Sequence, residues 1–244
     1  MNVRDLPIDL PADAVTAPIG TGCRDLPYRI EWAAGRSTRD SAARLLETRY
    51  AWRGYQGVSL PRDQTVDRMT LTATDGRATV GTITVGLDGP AGLAAAETFP
   101  EEIAALRARG LRLCEFSRLA AEPTAGGKHL LATLFHVAYL VAHRIRGADT
   151  LVMEVNPRHV GFYCRMLGAR AIARGRINRT VNAPAVLLRI DFADVAAEIA
   201  AFGGRPELAA NCRSLYPLAM SPEQEGRMLA RLVDAQPGTA AGPY

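Results

Sequence analysis

Two apolar, strand-like runs, Leu111–Ala121 and Thr150–Val155, are separated by a Gly-rich turn and one long apolar helix. No other feature of the 244-residue chain restricts its fold as much. The turn reads Glu122-Pro-Thr-Ala-Gly126-Gly127-Lys128, and the helix runs from about His129 to Arg146. After the second run comes Asn156-Pro-Arg-His159-Val-Gly-Phe-Tyr163-Cys-Arg-Met-Leu-Gly168-Ala169, again helical in pattern. Strand, helix and strand in this order make a βαβ unit, whose strands lie parallel. Glycines at the start of its helix leave backbone N–H groups free to face an anion, which suits a phosphate-bearing ligand.

The flanking segments extend this unit into a mixed α/β (α+β) domain. Tyr28–Ala33 has strand character. Ser37 and Asp40 offer a helix start. The helix they open carries Ala42, Leu45, Leu46 and Trp52 on one stripe, with Arg49 on the same stripe. Val66–Ala73 and Arg77–Leu87 alternate and are rich in β-branched residues, so Thr74-Asp75-Gly76 between them predicts an antiparallel hairpin. Phe99–Arg109 is a short amphipathic helix closed by Gly110. Ala169–Ile177 and Ala185–Asp191 read as two further strands. Three helical segments follow, Val195–Phe202, Pro206–Tyr216 and Pro222–Ala235. The expected division is a mobile arm over 1–26, a domain over 27–192, a helical extension over 193–236 and a tail over 237–244.

Composition narrows the class. Hydrophobic residues make up 48% of the chain, enough for a sizeable core. No apolar run is long enough for a membrane span, and the most apolar stretch, Leu130–Ala142, contains His136. The N-terminus carries no apolar signal region, so a cytoplasmic protein is expected. The net charge is +4, and the positive charge is almost all arginine, Lys128 being the only lysine. No basic–aromatic interleaving marks a nucleic-acid binder, and no nucleic-acid partner is expected. Cys23, Cys114, Cys164 and Cys212 stand far apart, which favours reduced thiols over disulfides or zinc. His129, His136 and His143 share one helix stripe, but neighbours are about 10 Å apart along the axis. That is too far for one metal ion, so no metal site is expected and the three read as a polar seam.

Glu115 lies inside an apolar strand. A carboxylate there is costly unless paired. Two readings follow: an ion pair with Arg118 or Arg49, or a general base. Residues three apart on a regular strand point to opposite faces. A β-bulge between Glu115 and Arg118 would bring both to one side.

Asn156, His159, Tyr163 and Gly168, in that spacing, resemble the last motif of the GNAT acyltransferase superfamily, roughly N-x-x-A-x-x-x-Y-x-x-x-G-F. Glu115-Phe-Ser-Arg118 resembles the E-x-x-R signature of the acyl-homoserine lactone synthases and their relatives, the N-acyl amino acid synthases. Gly92-Leu93, Phe99-Pro-Glu-Glu-Ile103 and Leu106-Arg107 are similar to the segment that precedes this signature in the second group. The resemblance covers about Tyr28 to Asp191.

The resemblance implies a GNAT-like mixed central sheet with a splayed parallel strand pair, carrying a C-terminal helical appendage. It implies transfer of a fatty acyl group from acyl carrier protein, or acyl-CoA, to the amine of an amino acid or related small amine. The donor is then a substrate, and no tightly bound cofactor is called for. Glu115 would be the base, Arg118 and Arg49 charged groups of the site, and Tyr163 the group protonating the leaving thiolate. A bulge on this strand would let a backbone amide within Ser117, Arg118, Leu119 and Ala120 face the thioester oxygen. Gly126, Gly127 and Lys128 would meet the pantetheine phosphate, a lysine in the first helical turn favouring an anion. Asn156 joins them in donor binding. Relatives place an aromatic four residues after the helix arginine. Here that position is Arg53, with Trp52 as a substitute, and His159 replaces the usual alanine.

Seven arginines and no acid lie between Val155 and Ile190. Acyl carrier proteins are acidic, so Arg158, Arg165 and Arg170 are the expected dock. Two other readings stand beside this one. An acyl-homoserine lactone synthase needs a site for S-adenosylmethionine, which no motif here supplies. A non-catalytic module binding acyl carrier or acyl-CoA has no use for a carboxylate at Glu115.

Overall fold

The computed structural model describes residues 27–52, 54, 58–61 and 65–235. The expected arm and tail lie outside them, as do Cys23 and Arg53. Seven strands, β1 (Arg29–Trp32), β2 (Arg68–Thr74), β3 (Thr79–Leu87), β4 (Leu113–Ala121), β5 (Thr150–Val155), β6 (Arg170–Asn178) and β7 (Ala183–Asp191), form one mixed sheet in the order β1-β2-β3-β4-β5-β7-β6. The β2–β3 hairpin forms where its turn chemistry predicts. The Asp75 carboxylate accepts from the backbone N–H of Arg77 and of Ala78, at 2.9 and 3.0 Å.

The central strands β4 and β5 run parallel but pair only over Leu113–Glu115 and Thr150–Val152. Beyond that point they part. The parting coincides with a bulge: Thr84 pairs with Ser117 and Thr82 with Ala120, so Arg118 and Leu119 together oppose Ile83. Arg118 takes φ 50°, a left-handed conformation uncommon for a residue with a side chain. The splayed pair expected of a GNAT-like sheet is therefore present.

Helices α1 (Arg36–Ala51), α2 (Ala95–Thr98) and α3 (Pro100–Ala108) cover one face of the sheet. Helices α4 (Lys128–Tyr139), α5 (Val160–Leu167), α6 (Phe192–Phe202) and α7 (Pro222–Asp234) cover the other. Every residue from Leu130 to Tyr139 is buried. A helix apolar on all sides needs cover on all sides, and α4 has the sheet beneath it and the C-terminal segments beside it. It runs on as a π-helical turn over Leu140–Ile145, so the long helix is present with a changed hydrogen-bond pattern at its end.

Three local expectations are corrected. Helix α1 begins at Arg36 behind Gly35, with no side-chain cap, so the Ser37–Asp40 start is not used. Trp52 does not join the apolar stripe and is 63% exposed. Pro206–Tyr216 is not one helix but two 3-10 turns, Pro206–Ala210 and Tyr216–Leu218. Between them the Ser214 hydroxyl takes the Tyr216 N–H, a local bond that competes with helix.

The C-terminal segments are built into the main core. Phe192, Val195, Leu215, Tyr216, Met220, Met228 and Leu232 belong to the same apolar cluster as the α4 face of the sheet. His136 fastens them. Its Nδ1 accepts the Met220 N–H at 3.0 Å, and its Nε2 stands 3.1 Å from Glu225 Oε2. With Nδ1 accepting, the proton sits on Nε2 and is donated to Glu225. Arg144 completes the clasp on Glu225 Oε1 at 2.8 Å. Ser221 and Gln224 form a capping box at the start of α7.

Candidate active site

Where β4 and β5 part, they leave a cavity of about 250 Å³. One wall is Glu115–Leu119, the other Met153–Asn156, with Tyr50, Phe135, His159, Tyr163 and Asn178 between them. The bulge is what turns β4 away from β5 and exposes this stretch of backbone to the cavity. Arg118 and Leu119 share one opposing residue, so the ladder cannot engage both of their amides.

Glu115 is 4% exposed and is held from two sides. The backbone N–H of Ala95, at the start of α2, donates to Oε2 at 3.1 Å. Arg68 Nη2 stands 3.4 Å from Oε1. The partner is therefore Arg68, on β2, rather than Arg118 or Arg49 as the sequence suggested. Arg118 does lie near Glu115, but its Nε donates to the Ser59 carbonyl at 2.6 Å and its Nη1 to the Ser117 hydroxyl at 3.3 Å. Burial and the neighbouring Arg68 charge lower the Arg118 pKa, and the charge of Glu115 works the other way.

A second carboxylate, Glu154, faces the same cavity from β5. Its Oε1 accepts from Asn178 Nδ2 at 2.6 Å and from the Thr98 hydroxyl at 3.2 Å. Burial raises its pKa above the usual carboxylate range. The two hydrogen bonds oppose that shift, and the charges of Glu115 and Glu97 add to it. Sequence reasoning missed Glu154, although the signal that exposed Glu115, a carboxylate inside an apolar strand, is repeated in Thr150-Leu-Val-Met-Glu-Val155. Arg68 was also missed, since nothing local distinguishes it from the other arginines.

Tyr163 is buried in an aromatic wall. Its ring meets Phe135 edge-on at 6.2 Å and Phe162 at 5.3 Å. The Asn156 side chain accepts the Arg158 N–H at 3.2 Å, which caps the short turn leading into α5. His159, also buried, accepts from Arg158 Nε at 3.1 Å. Cys114, next to Glu115, is fully buried, and burial pushes its thiol pKa well up. It is not poised as a nucleophile.

Of the residues singled out from sequence, the cavity brings together Glu115, Ser117, Arg118, Leu119, Asn156, His159 and Tyr163. The rest stand apart from it. Ala120 points to the α1 face and packs with Ala42, Leu45, Leu46 and Leu60. Arg49 is half-buried beneath the Trp52 ring, 5.7 Å from its centroid. Gly126, Gly127 and Lys128 open α4 but do not line the cavity, and Lys128 is exposed. Gly126 suits the turn because its φ of 78° is left-handed, and a Cβ there would also meet the Tyr28 hydroxyl. Arg158 and Arg165 are exposed. Arg170 is bound to Asp194 at 3.0 Å. Arg176 is likewise bound to Glu101 and Glu102, and Arg189 to Asp191. The acid-free span is thus partly neutralised by acids from elsewhere.

A family model described as N-acyl amino acid synthase FeeM matches residues 41–191. Among solved structures, FeeM, an N-acyl amino acid synthase from uncultured soil microbes, is 26% identical, with a TM-score of 0.61 over 70% of this chain and 93% of that one. The acyl-homoserine lactone synthase LasI is 15% identical, with a TM-score of 0.47 over 67% of this chain and 88% of its own. A putative acyl-CoA N-acyltransferase from Klebsiella pneumoniae subsp. pneumoniae is 18% identical, with a TM-score of 0.44 over 67% and 97%. No curated protein matches the chain.

Proposed function

Since the chain belongs to the FeeM family of N-acyl amino acid synthases and is an N-acyltransferase, we propose that it moves a fatty acyl group from acyl carrier protein to the amine of an amino acid. The observation that carries this reading is Glu115: a buried carboxylate on the bulged strand, opening into the cavity between two parted parallel strands.

An amino acid presents an ammonium at neutral pH, and the amine must lose a proton before it can attack. Glu115 takes that proton, directly or through water. The nitrogen lone pair attacks the thioester carbonyl carbon, forming the C–N bond. The oxygen gains negative charge beside the backbone of Ser117–Leu119, where an amide released by the bulge steadies it. The C–S bond then breaks. The departing thiolate takes the remaining surplus proton of the nitrogen, with the Tyr163 hydroxyl at the cavity wall as relay. Arg68 compensates the charge of Glu115 and fixes its direction.

Carrier protein is favoured over free CoA as donor because Arg158 and Arg165, each two residues after a cavity-lining residue (Asn156 and Tyr163), are exposed. An acidic carrier would be steered there. No described helix is long and apolar enough to cross a membrane, and a cytoplasmic location forms part of this proposal. The division into a 27–192 domain and a 193–236 extension is retained as a functional division only. The test is mass spectrometry of the protein with a panel of acyl carriers, acyl-CoAs and amino acids. An N-acyl amino acid formed faster from carrier than from CoA supports the reading, and a preference for CoA removes the carrier.

A further inference from the structure

Beyond the β4–β5 cavity lies a second, smaller one of about 30 Å³. The two share Phe116 and Phe135, whose ring centroids are 6.5 Å apart. The far wall of the second cavity is not made by the sheet. It is made by Val195 and Ile199 of α6 and by Leu215, Tyr216 and Ala219. All of these follow residue 191, where the family match ends.

The second cavity presents carbon almost throughout. His136 lines it, but both ring nitrogens are engaged, one by the Met220 N–H and the other by Glu225. Tyr216 donates its hydroxyl to the Leu167 carbonyl at 2.9 Å, which pins its ring against the space. An enclosure of this kind has no use for water and suits an alkyl end. Its free volume is small beside that of the first cavity, so a chain end that enters past the phenylalanines soon meets the far wall.

We infer that the C-terminal segment is the ruler for the acyl chain, and this rests on the fatty acyl transfer proposed above. The thioester lies at Glu115 and the chain passes the Phe116–Phe135 pair. Its methyl end comes to rest against Leu215, Tyr216 and Ala219. The preferred chain length is then set by a segment outside the part shared with the family.

The test measures kcat/KM over a graded series of straight-chain acyl donors for the wild type, Ala219→Leu and Leu215→Ala. Ala219→Leu fills the end of the space, so the longest accepted donors should fall by roughly fourfold per methylene that no longer fits, while the shortest fall least. Leu215→Ala opens the space and should move the optimum to donors longer by about two carbons. Melting temperatures show that each variant is folded. A chain-length profile unchanged in both folded variants overturns the ruler, as does a profile that moves only with substitutions in the β4–β5 cavity. Absence of any N-acylated product from the wild type is a separate result, and it overturns the proposed function instead.

Discussion

Arg68 reaches Glu115 at 3.4 Å although the whole of β3 lies between their strands. The register explains it. Gly86 pairs with Arg68 on one side and with Glu115 on the other, so the three form a row across the sheet. Residues in a row project to the same face. The middle one has no side chain, and the ion pair closes over it. A Cβ at Gly86 would sit 2.9 Å from Glu115 Cγ and 3.1 Å from Oε1.

Gly86→Ala should therefore push Glu115 off its position. The overpacking should cost about 1–3 kcal/mol of stability and lower turnover by about 10- to 100-fold, since small misplacements of a reacting group are that expensive. Turnover and melting temperature equal to wild type would show that Glu115 can be displaced freely.

Glu115→Gln keeps the shape of the side chain and removes the base. Turnover should drop by roughly 10²–10⁴-fold with the fold intact. A rate within threefold of wild type takes Glu115 out of the mechanism.

Arg68→Ala and Arg118→Ala should behave differently. The first leaves a buried carboxylate without its ion-pair partner. A fully buried pair broken this way costs about 3–5 kcal/mol, and with the Arg68 side chain 30% exposed the expected loss is about 1–3 kcal/mol. Arg118 bonds to the Ser59 carbonyl and the Ser117 hydroxyl. Its loss should lower activity while moving the melting temperature less. Equal destabilisation by both would contradict the pairing seen here.

Glu154→Gln tests the second carboxylate through pH. Burial raises the folded pKa of Glu154, so the native state holds this proton more tightly than the unfolded chain does. Wild-type stability then falls as pH rises from the ordinary carboxylate pKa through the raised one, and the loss is complete above it. The glutamine keeps Oε1 as acceptor for Asn178 and Thr98 but carries no charge. The variant should melt higher than wild type at neutral pH, by a few degrees at about 2–4 °C per kcal/mol, and the gap should close below about pH 4. A gap independent of pH would assign the effect to packing.

Arg165→Glu should lower kcat/KM with an acyl carrier donor and weaken its salt dependence, because steering by exposed charges is screened within about 8 Å at physiological salt. Activity with a short acyl-pantetheine, which has no acidic protein to steer, should change little. Equal losses with both donors would point to a damaged cavity.

The order of elements as far as α6, the β2–β3 hairpin and the parallel β4–β5 pair follow from the sequence by itself, whereas the bulge after Glu115 was expected from the family resemblance. Each of the first three depends on a local rule: turn chemistry at Asp75 or the period of an apolar run. The cost of burying a carboxylate marks Glu115 and Glu154 alike, and only the E-x-x-R resemblance separated Glu115 from Glu154. Which cation answers Glu115 was decided by the register of three strands, and that depends on pairings between residues far apart in the chain. Arg68 carries no local mark, and Gly86 reads as an ordinary strand glycine until its two neighbours in the row are known. The same reason gives Arg170 an exposed ion pair, since Asp194 reaches it only once the chain beyond β7 folds back. It also explains why Lys128, conspicuous as the only lysine, stands away from the cavity. Periodicity places a residue on its own element. The distance from that element to a site is set by how strands β2 to β5 are ordered and by where the bulge parts them.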